Sequence, residues 1–545
     1  MGSATQCWQK DMMSITICSL LLIVTLPCSS ADSAANYQLT GPVISILCNT
    51  FSTLLSMFSQ GLSPDKIVLP CRYFFVERRL NSSADDDGKR YDEKDLKVAV
   101  EGVREEEGGR FCRAWTEVFG LPAGGGFVVR YRFHQPCDKV KITALIGGEH
   151  IGGSPIGVQG QVLADHCACP LPSLPDYISA SCPAPLSQLE EDLAPWAGGV
   201  DMGIAVAKAR DIFKHAGSQC WCHYVVKGGE VWRRCYGQHT GFRMFWDQTL
   251  LWLASRASLP DMELMVNLGD WPLVKPKYKG IPMFSWCGSK DTLDMVFPTY
   301  ELTEASLECM GRQSLDTLAA LGKNKVPWDE KTEKLFWRGR DSRQERLDLV
   351  RLSKKHPEII NASITAFFFF RDQEEELGRH PYVSFFDFFN YKYQMNLDGT
   401  VAAYRLPFLL AGGALVFKAD SPYYEHFYPS LTPWQHYVPV KADLSDLLEK
   451  IQWAKDHDQE AQVISRRAAQ FARTHLTPHP VLCYHAQLLH RWSGLMRAPV
   501  RVGEGMEKVE RKKDDRRGPC GCEDQTTLEP PPEQLHLKSV VKDEL

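Results

Sequence analysis

Near residue 160 the hydrophobic pattern of the chain changes its period. Before that point, short β-rich runs recur between turn signals: Ile67–Leu69, Tyr73–Val76, Leu96–Val100, Phe127–Phe133 and Val140–Ile146. In Val129-Arg130-Tyr131-Arg132-Phe133 apolar and charged residues alternate, the period of a half-buried strand. Over residues 62–160 this pattern predicts an all-β, immunoglobulin-like sandwich. After it, strand-like runs (Met262–Asn267, Lys334–Trp337, Ala414–Phe417) alternate with helical ones (Leu444–Trp453, Glu460–Phe471). Such alternation argues for parallel sheets with crossovers. The stretch 165–500 is too long for one small sheet, so two Rossmann-like halves are expected. The fold class is therefore a multidomain chain, a β-sandwich followed by an α/β unit.

The two ends of the chain carry addressing signals. Lys542-Asp543-Glu544-Leu545 reads as the retrieval address for the endoplasmic reticulum lumen, with the KDEL receptor as its partner. Ile15–Leu26 is a short apolar run after Lys10, followed by Pro27 and small residues, so residues 1–31 read as a signal peptide. No second run reaches spanning length; Val43–Phe58 is broken by Ser, Asn and Thr. A net charge of −5 gives no nucleic-acid footprint. An oxidising lumen makes the cysteines disulfide candidates. Three of the eighteen leave with the signal, so fifteen remain and at least one stays unpaired within the chain. Cys483 is expected to pair with Cys167, Cys169 or Cys182, tying the ends of the α/β unit. Cys520-Gly521-Cys522 reads as a structural or idle pair in a polar tail over 501–545. Asn81 and Asn361 open glycosylation sequons usable in this compartment.

Three constellations can carry chemistry. Asn267-Leu268-Gly269-Asp270-Trp271-Pro272 places a carboxylate just past a strand end, where open α/β sheets bind ligands. The same Asp also suits a turn that bonds its own backbone. Phe336-Trp337-Arg338-Gly339-Arg340-Asp341-Ser342-Arg343 puts guanidinium forks at a turn, which suits a diphosphate; a solvated loop tied to Asp341 and Glu345 is the other reading. Asn396–Arg405 carries Gly399 and small residues before Arg405, which needs an anion if buried. In a lumenal protein these suggest handling of a sugar diphosphate. The Asp-x-Asp spacings, Asp85 to Asp87 and Asp456 to Asp458, are poorly placed for a metal, so none is expected.

Gly148–Ile156 resembles the closing hairpin of filamin-type immunoglobulin repeats, with Ile156 in place of Phe. Such a repeat is expected to serve as a spacer or docking module. The motifs NLGDWP (267–272), FSWCGS (284–289), FWRGRDSR (336–343), SFFDFF (384–389), NLDGTVAAYR (396–405) and PWQHYVPV (433–440) resemble those of the CAP10-type protein O-glucosyltransferases. The filamin-type repeat and KDEL end are similar to those of the family's KDEL-motif-containing branch, types 2 and 3. The resemblance implies a GT-B fold and inverting transfer of glucose from UDP-glucose, with no other cofactor. The implied acceptor is serine in folded EGF-like repeats, as in Notch-type receptors and fibrillins. By motif, Asp270 matches the catalytic base. Arg338 and the run Thr400, Val401, Ala402, Ala403, Tyr404 and Arg405 match the nucleotide-sugar site, with Arg405 at the diphosphate. Phe297, Thr299 and Tyr300 resemble a donor-site loop, and His239, Thr240 and Gly241 lie where relatives meet the acceptor. A catalytically dead lumenal binder, or a transferase using UDP-xylose, remains the alternative.

Overall fold

The computed structural model describes residues 37–40, 71–78, 94–104, 109–120, 126–151, 153–310 and 326–511. The signal-like start, Asn81, Asp85 to Asp87, Cys520 to Cys522 and the KDEL end lie outside these residues.

The first unit is all-β. Its strands are β1 (Tyr37–Thr40), β2 (Arg72–Arg78), β3 (Leu96–Arg104), β4 (Arg110–Gly120), β5 (Gly126–Phe133), β6 (Asp138–Ile146), β7 (Glu149–His150) and β8 (Ile156–Val158). They run in the order β1-β2-β5-β4-β3-β6-β7, with β8 also on β6. Strand β4 is shared: residues 110–113 pair with β3 and residues 114–120 with β5. Phe74, Val76, Val129 and Tyr131 meet Val100, Ile142 and Ala144 in one core, closed by the Cys112–Cys137 disulfide.

The alternation in β5 predicts charged residues in water, and the structure differs. Arg130 is only 3% exposed. Val129, Tyr131 and Phe133 face the unit's own core. The opposite face docks on the rest of the chain: Tyr73, Phe75 and Val128 pack against Phe386, and Arg130 reaches Glu308. Strand β5 is therefore covered on both sides.

The second unit has two sheets. The first contains β9 (Trp221–Lys227), β10 (Glu230–Tyr236), β11 (Met262–Asn267), β12 (Met283–Ser285) and β14 (Met295–Val296), with β13 (Gly288–Ser289) lying outside it. It is mixed rather than all-parallel: β9 pairs antiparallel with β10 and β11, while β11, β12 and β14 are parallel. The second sheet comprises β15 (Thr332–Arg340), β16 (Ile360–Ala366), β17 (Tyr391–Asn396), β18 (Leu415–Ala419) and β20 (Val438–Val440). It is all-parallel in the order β16-β15-β17-β18-β20. Each half has its own apolar core.

Three features join the halves. Strand β13 pairs with β19 (Tyr423–Tyr424) across them. Gly288 is required there, because a Cβ would lie 2.3 Å from the Tyr424 ring. The Pro478–Ser493 helix returns to the first core through Leu482, Leu488, Leu489 and Trp492. The Cys182–Cys483 disulfide fastens it, as expected for Cys483. The polar tail begins later than residue 501: β21 (Glu507–Lys508) pairs with β10, and Val509 enters the first core. Among the described residues, no helix is long and apolar enough to cross a membrane.

Candidate active site

The site forms where loops at the carboxyl ends of both sheets meet, the position at which open α/β sheets take ligands. From the first half comes the loop after β11. The buried Asn267 shapes it: its Oδ1 accepts the Gly269 N–H at 2.9 Å, and its Nδ2 donates to the Trp271 carbonyl at 2.6 Å and to Ser285 Oγ at 3.0 Å. Asp294 fixes the next stretch by accepting the N–H groups of Leu273 and Val274 at 2.9 and 2.8 Å. Asp270 therefore rides on a loop that other side chains hold, and it does not serve as that loop's own turn residue.

The Asp270 carboxylate is half-buried, with the Tyr300 hydroxyl near enough to act on its charge. Burial raises its pKa above the ordinary aspartate value, and the Tyr300 hydroxyl partly offsets this. A raised carboxylate pKa makes a stronger base. Tyr300 is the first residue of the Tyr300–Leu307 helix. Its ring is boxed by Phe242, Trp286 and Tyr404, with centroids 4.8, 5.5 and 5.3 Å away. Below the carboxylate, the Cys287 thiol donates to the Asp270 carbonyl at 3.4 Å. Cys287 also packs on Val401 and Ala402 from the second half. The two halves thus touch directly under the base.

From the second half come the loops after β15 and β17. Arg346 clamps them together, a role the sequence reading did not assign. Its Nε donates to the Asp398 carbonyl at 2.6 Å, its Nη2 to Leu397 at 3.0 Å and its Nη1 to Arg340 at 3.0 Å. A usable signal existed: Arg346, Leu349, Val350 and Ser353 form the buried stripe of the Gln344–Lys355 helix. An arginine heading a buried stripe must reach back to acceptors. Asp341 accepts the N–H groups of Phe368, Phe369 and Phe370 at 2.7–2.8 Å. It therefore orders that loop instead of pairing with the arginines, while Arg343 does bond Glu345.

Arg405 caps the start of the Leu406–Ala411 helix and donates to the Arg338 carbonyl. Burial pulls its pKa down to about 10. Among the described residues no carboxylate pairs with it. A half-buried cation in that state is suited to receive an anion. Its neighbours Val401, Ala402 and Ala403 are buried, which brings the backbone from Thr400 to Tyr404 close under the cleft.

The structure brings most of the sequence-assigned residues together and moves some out. His239, Thr240 and Gly241 form the turn before the Arg243–Ala254 helix, with Thr240 accepting from Arg243 at 2.9 Å. The turn leads into Phe242, whose ring centroid lies 4.8 Å from that of Tyr300. Phe297 is a correction. It is buried against Trp246 and Trp286, with centroids 4.8 and 4.5 Å away, and packs the core instead of lining a ligand site. Thr299 is likewise buried at the head of the Tyr300–Leu307 helix. The Arg338 guanidinium is engaged by Asn361, through the carbonyl at 2.9 Å and Oδ1 at 2.8 Å, so only its carbonyl is tied to Arg405. Asn361 also donates to the Tyr391 hydroxyl at 2.9 Å from within β16. One amide hydrogen of this half-buried sequon residue is therefore already used in the fold. Asp458 is committed to Lys392 and Trp328. The grouping Cys182, His479 and Cys483 has metal-like spacing, but its two sulfurs form the disulfide.

Comparison with known proteins agrees with this geometry. Residues 178–525 match the description Glycosyl transferase family 90. The chain is 45% identical over 464 residues to Protein O-glucosyltransferase 2 of Danio rerio, covering 84% of this chain and 90% of that protein. It is 41% identical over 455 residues to Protein O-glucosyltransferase 3 of Homo sapiens, covering 82% and 88%. Protein O-glucosyltransferase 1 of Homo sapiens is 29% identical over 375 residues, 65% of this chain and 91% of that protein. With its matched region spanning both sheets and both sides of the cleft, the chain belongs to glycosyl transferase family 90.

Proposed function

We propose that this protein is an inverting protein O-glucosyltransferase that moves glucose from UDP-glucose to a serine hydroxyl in folded EGF-like repeats. The observation that carries the reading is Asp270, a half-buried carboxylate placed at a strand end by the Asn267 loop, with the Tyr300 hydroxyl beside it. Serine is a weak nucleophile and needs such a base. Asp270 takes the serine proton as the oxygen attacks C1 opposite the leaving UDP, through an oxocarbenium-like transition state. Arg405 meets the charge that grows on the diphosphate. Trp271, 53% exposed beside the base, offers an apolar ledge to a protein acceptor. The names of the relatives support the same reading.

In this reading the two sheets are the halves of a GT-B unit. The β-unit is a filamin-type repeat, which its shared strand β4 and its β6–β7 hairpin support. The protein works in the endoplasmic reticulum lumen, where its disulfides are stable. Cationic side chains serve the diphosphate, so a chelator leaves transfer unchanged. The test is incubation of the full chain with separate UDP-sugars and a folded EGF repeat, followed by mass measurement. A hexose gain with UDP-glucose supports the proposal. A pentose gain with UDP-xylose alone reassigns the sugar, and no gain with any donor supports a dead binder.

A further inference from the structure

The Tyr300–Leu307 helix has the base at one end and the β-unit at the other. Residues Leu302 to Leu307 are all buried. A helix of this length spans about 12 Å and moves as one body. At its first residue, the Tyr300 hydroxyl stands beside Asp270 and favours its charged form. Its last turn closes on Glu308, in the left-handed region at φ 52°. A non-glycine residue keeps that conformation only where its surroundings impose it.

Arg130 of the β-unit is one of those surroundings. Its Nη2 pairs with the Glu308 carboxylate, and the two side chains are 4% and 10% exposed. Arg130 is itself held in place. Glu117 sits opposite it across the β4–β5 ladder and bonds it at 3.3 Å. The rings of Trp115 and Phe119 lie 5.5 and 5.9 Å from its guanidinium. Arg132, two residues on, lies 4.8 Å from Trp115 and adds its field at Glu308. A charge buried this deeply without its partner is strongly unfavourable, so losing Arg130 forces the helix end to move or to take up a proton.

We infer that Arg130 and Glu308 are a positioning pair for glucosyl transfer, docking the β-unit onto the helix that sets where Tyr300 stands beside Asp270. The inference rests on the proposed role of Asp270 and goes beyond it. The β-unit becomes a working part of the transfer site, where the sequence suggested a spacer. An interface that only holds two units together would affect stability and leave turnover in the folded protein untouched.

The test uses the full chain in three forms: wild type, Arg130→Ala and Glu308→Gln. The first readout is amide hydrogen exchange, which needs neither donor nor acceptor. Both single variants should speed exchange along residues 300–310 and in the loop 268–272. The second readout is transfer kinetics. In both single variants kcat should fall about tenfold with KM for UDP-glucose within about twofold. Glu308→Gln keeps the side-chain shape and decides the matter if Arg130→Ala does not fold. Faster exchange confined to residues 308–310 with unchanged kcat overturns the inference. A wild-type chain that transfers nothing would sink the functional proposal, and the exchange data would still decide the coupling.

Discussion

The Tyr300 hydroxyl lies beside the Asp270 carboxylate and favours its charged form, from a ring boxed by Phe242, Trp286 and Tyr404. Two effects oppose each other at Asp270: burial raises its pKa and the Tyr300 hydroxyl lowers it. The base works only when ionised, so activity falls as pH drops through this pKa. Tyr300→Phe removes the lowering contribution. The acid limb of the kcat/KM profile should move to higher pH, with near-normal rates at alkaline pH. A pH profile of the variant checks this; an unmoved limb would show that Tyr300 does not set the ionisation of Asp270.

Arg405 combines burial with the absence of a carboxylate partner among the described residues. Arg405→Ala should weaken UDP-glucose binding and lower turnover by about 10²-fold. Arg405→Lys should remain poor, because an ammonium does not reproduce a guanidinium fork. Calorimetric UDP binding alongside turnover checks both. A Lys variant with normal binding would make Arg405 a structural helix cap.

The Cys182–Cys483 bond closes a loop with a sequence separation of 301 residues. In the chain-entropy model, closing a loop this long stabilises by about 6 kcal/mol. Changing both cysteines to Ala should lower the melting temperature by several degrees while the purified protein keeps its circular dichroism spectrum. An unchanged melting temperature would show that the bond adds nothing to the packing of the Pro478–Ser493 helix.

Glu425 is fully buried, and burial pushes its carboxyl up to about 8. Its folded pKa thus lies above the ordinary glutamate value of 4.5. The stability it contributes is complete below the unfolded pKa and is lost as pH rises through about 8. His426 and His485, lowered to about 3 and about 4, act in the opposite direction at lower pH. Between neutrality and pH 8, Glu425→Gln should therefore melt higher than wild type, and the gap should close as pH approaches 4.5. Melting curves across that range check the sign.

Much of this architecture was legible because local pattern and tertiary role agree. Met262–Asn267 reads as a short apolar strand and is one, buried on both faces of the first sheet. The strand-end placement of Asp270 follows from it. Legibility ended where a residue's partner lies far along the chain. Arg130 alternates with apolar neighbours as a solvent-facing residue would, yet its partner Glu308 lies 178 positions away. Phe297 looks like a ligand loop by motif, while tertiary packing against Trp246 and Trp286 makes it core. Asn361 satisfies a sequon by spacing alone, and only the sheet reveals that its amide is already committed to Tyr391 and Arg338.

The central claim is that Asp270 is the base, and one substitution tests it most directly. Asp270→Asn preserves the shape of the side chain and removes its proton affinity. The full-length variant should fold, bind UDP with wild-type affinity and transfer glucose to a folded EGF repeat at least about 10²-fold more slowly. Transfer at the wild-type rate with UDP binding intact would place the base elsewhere and contradict the account.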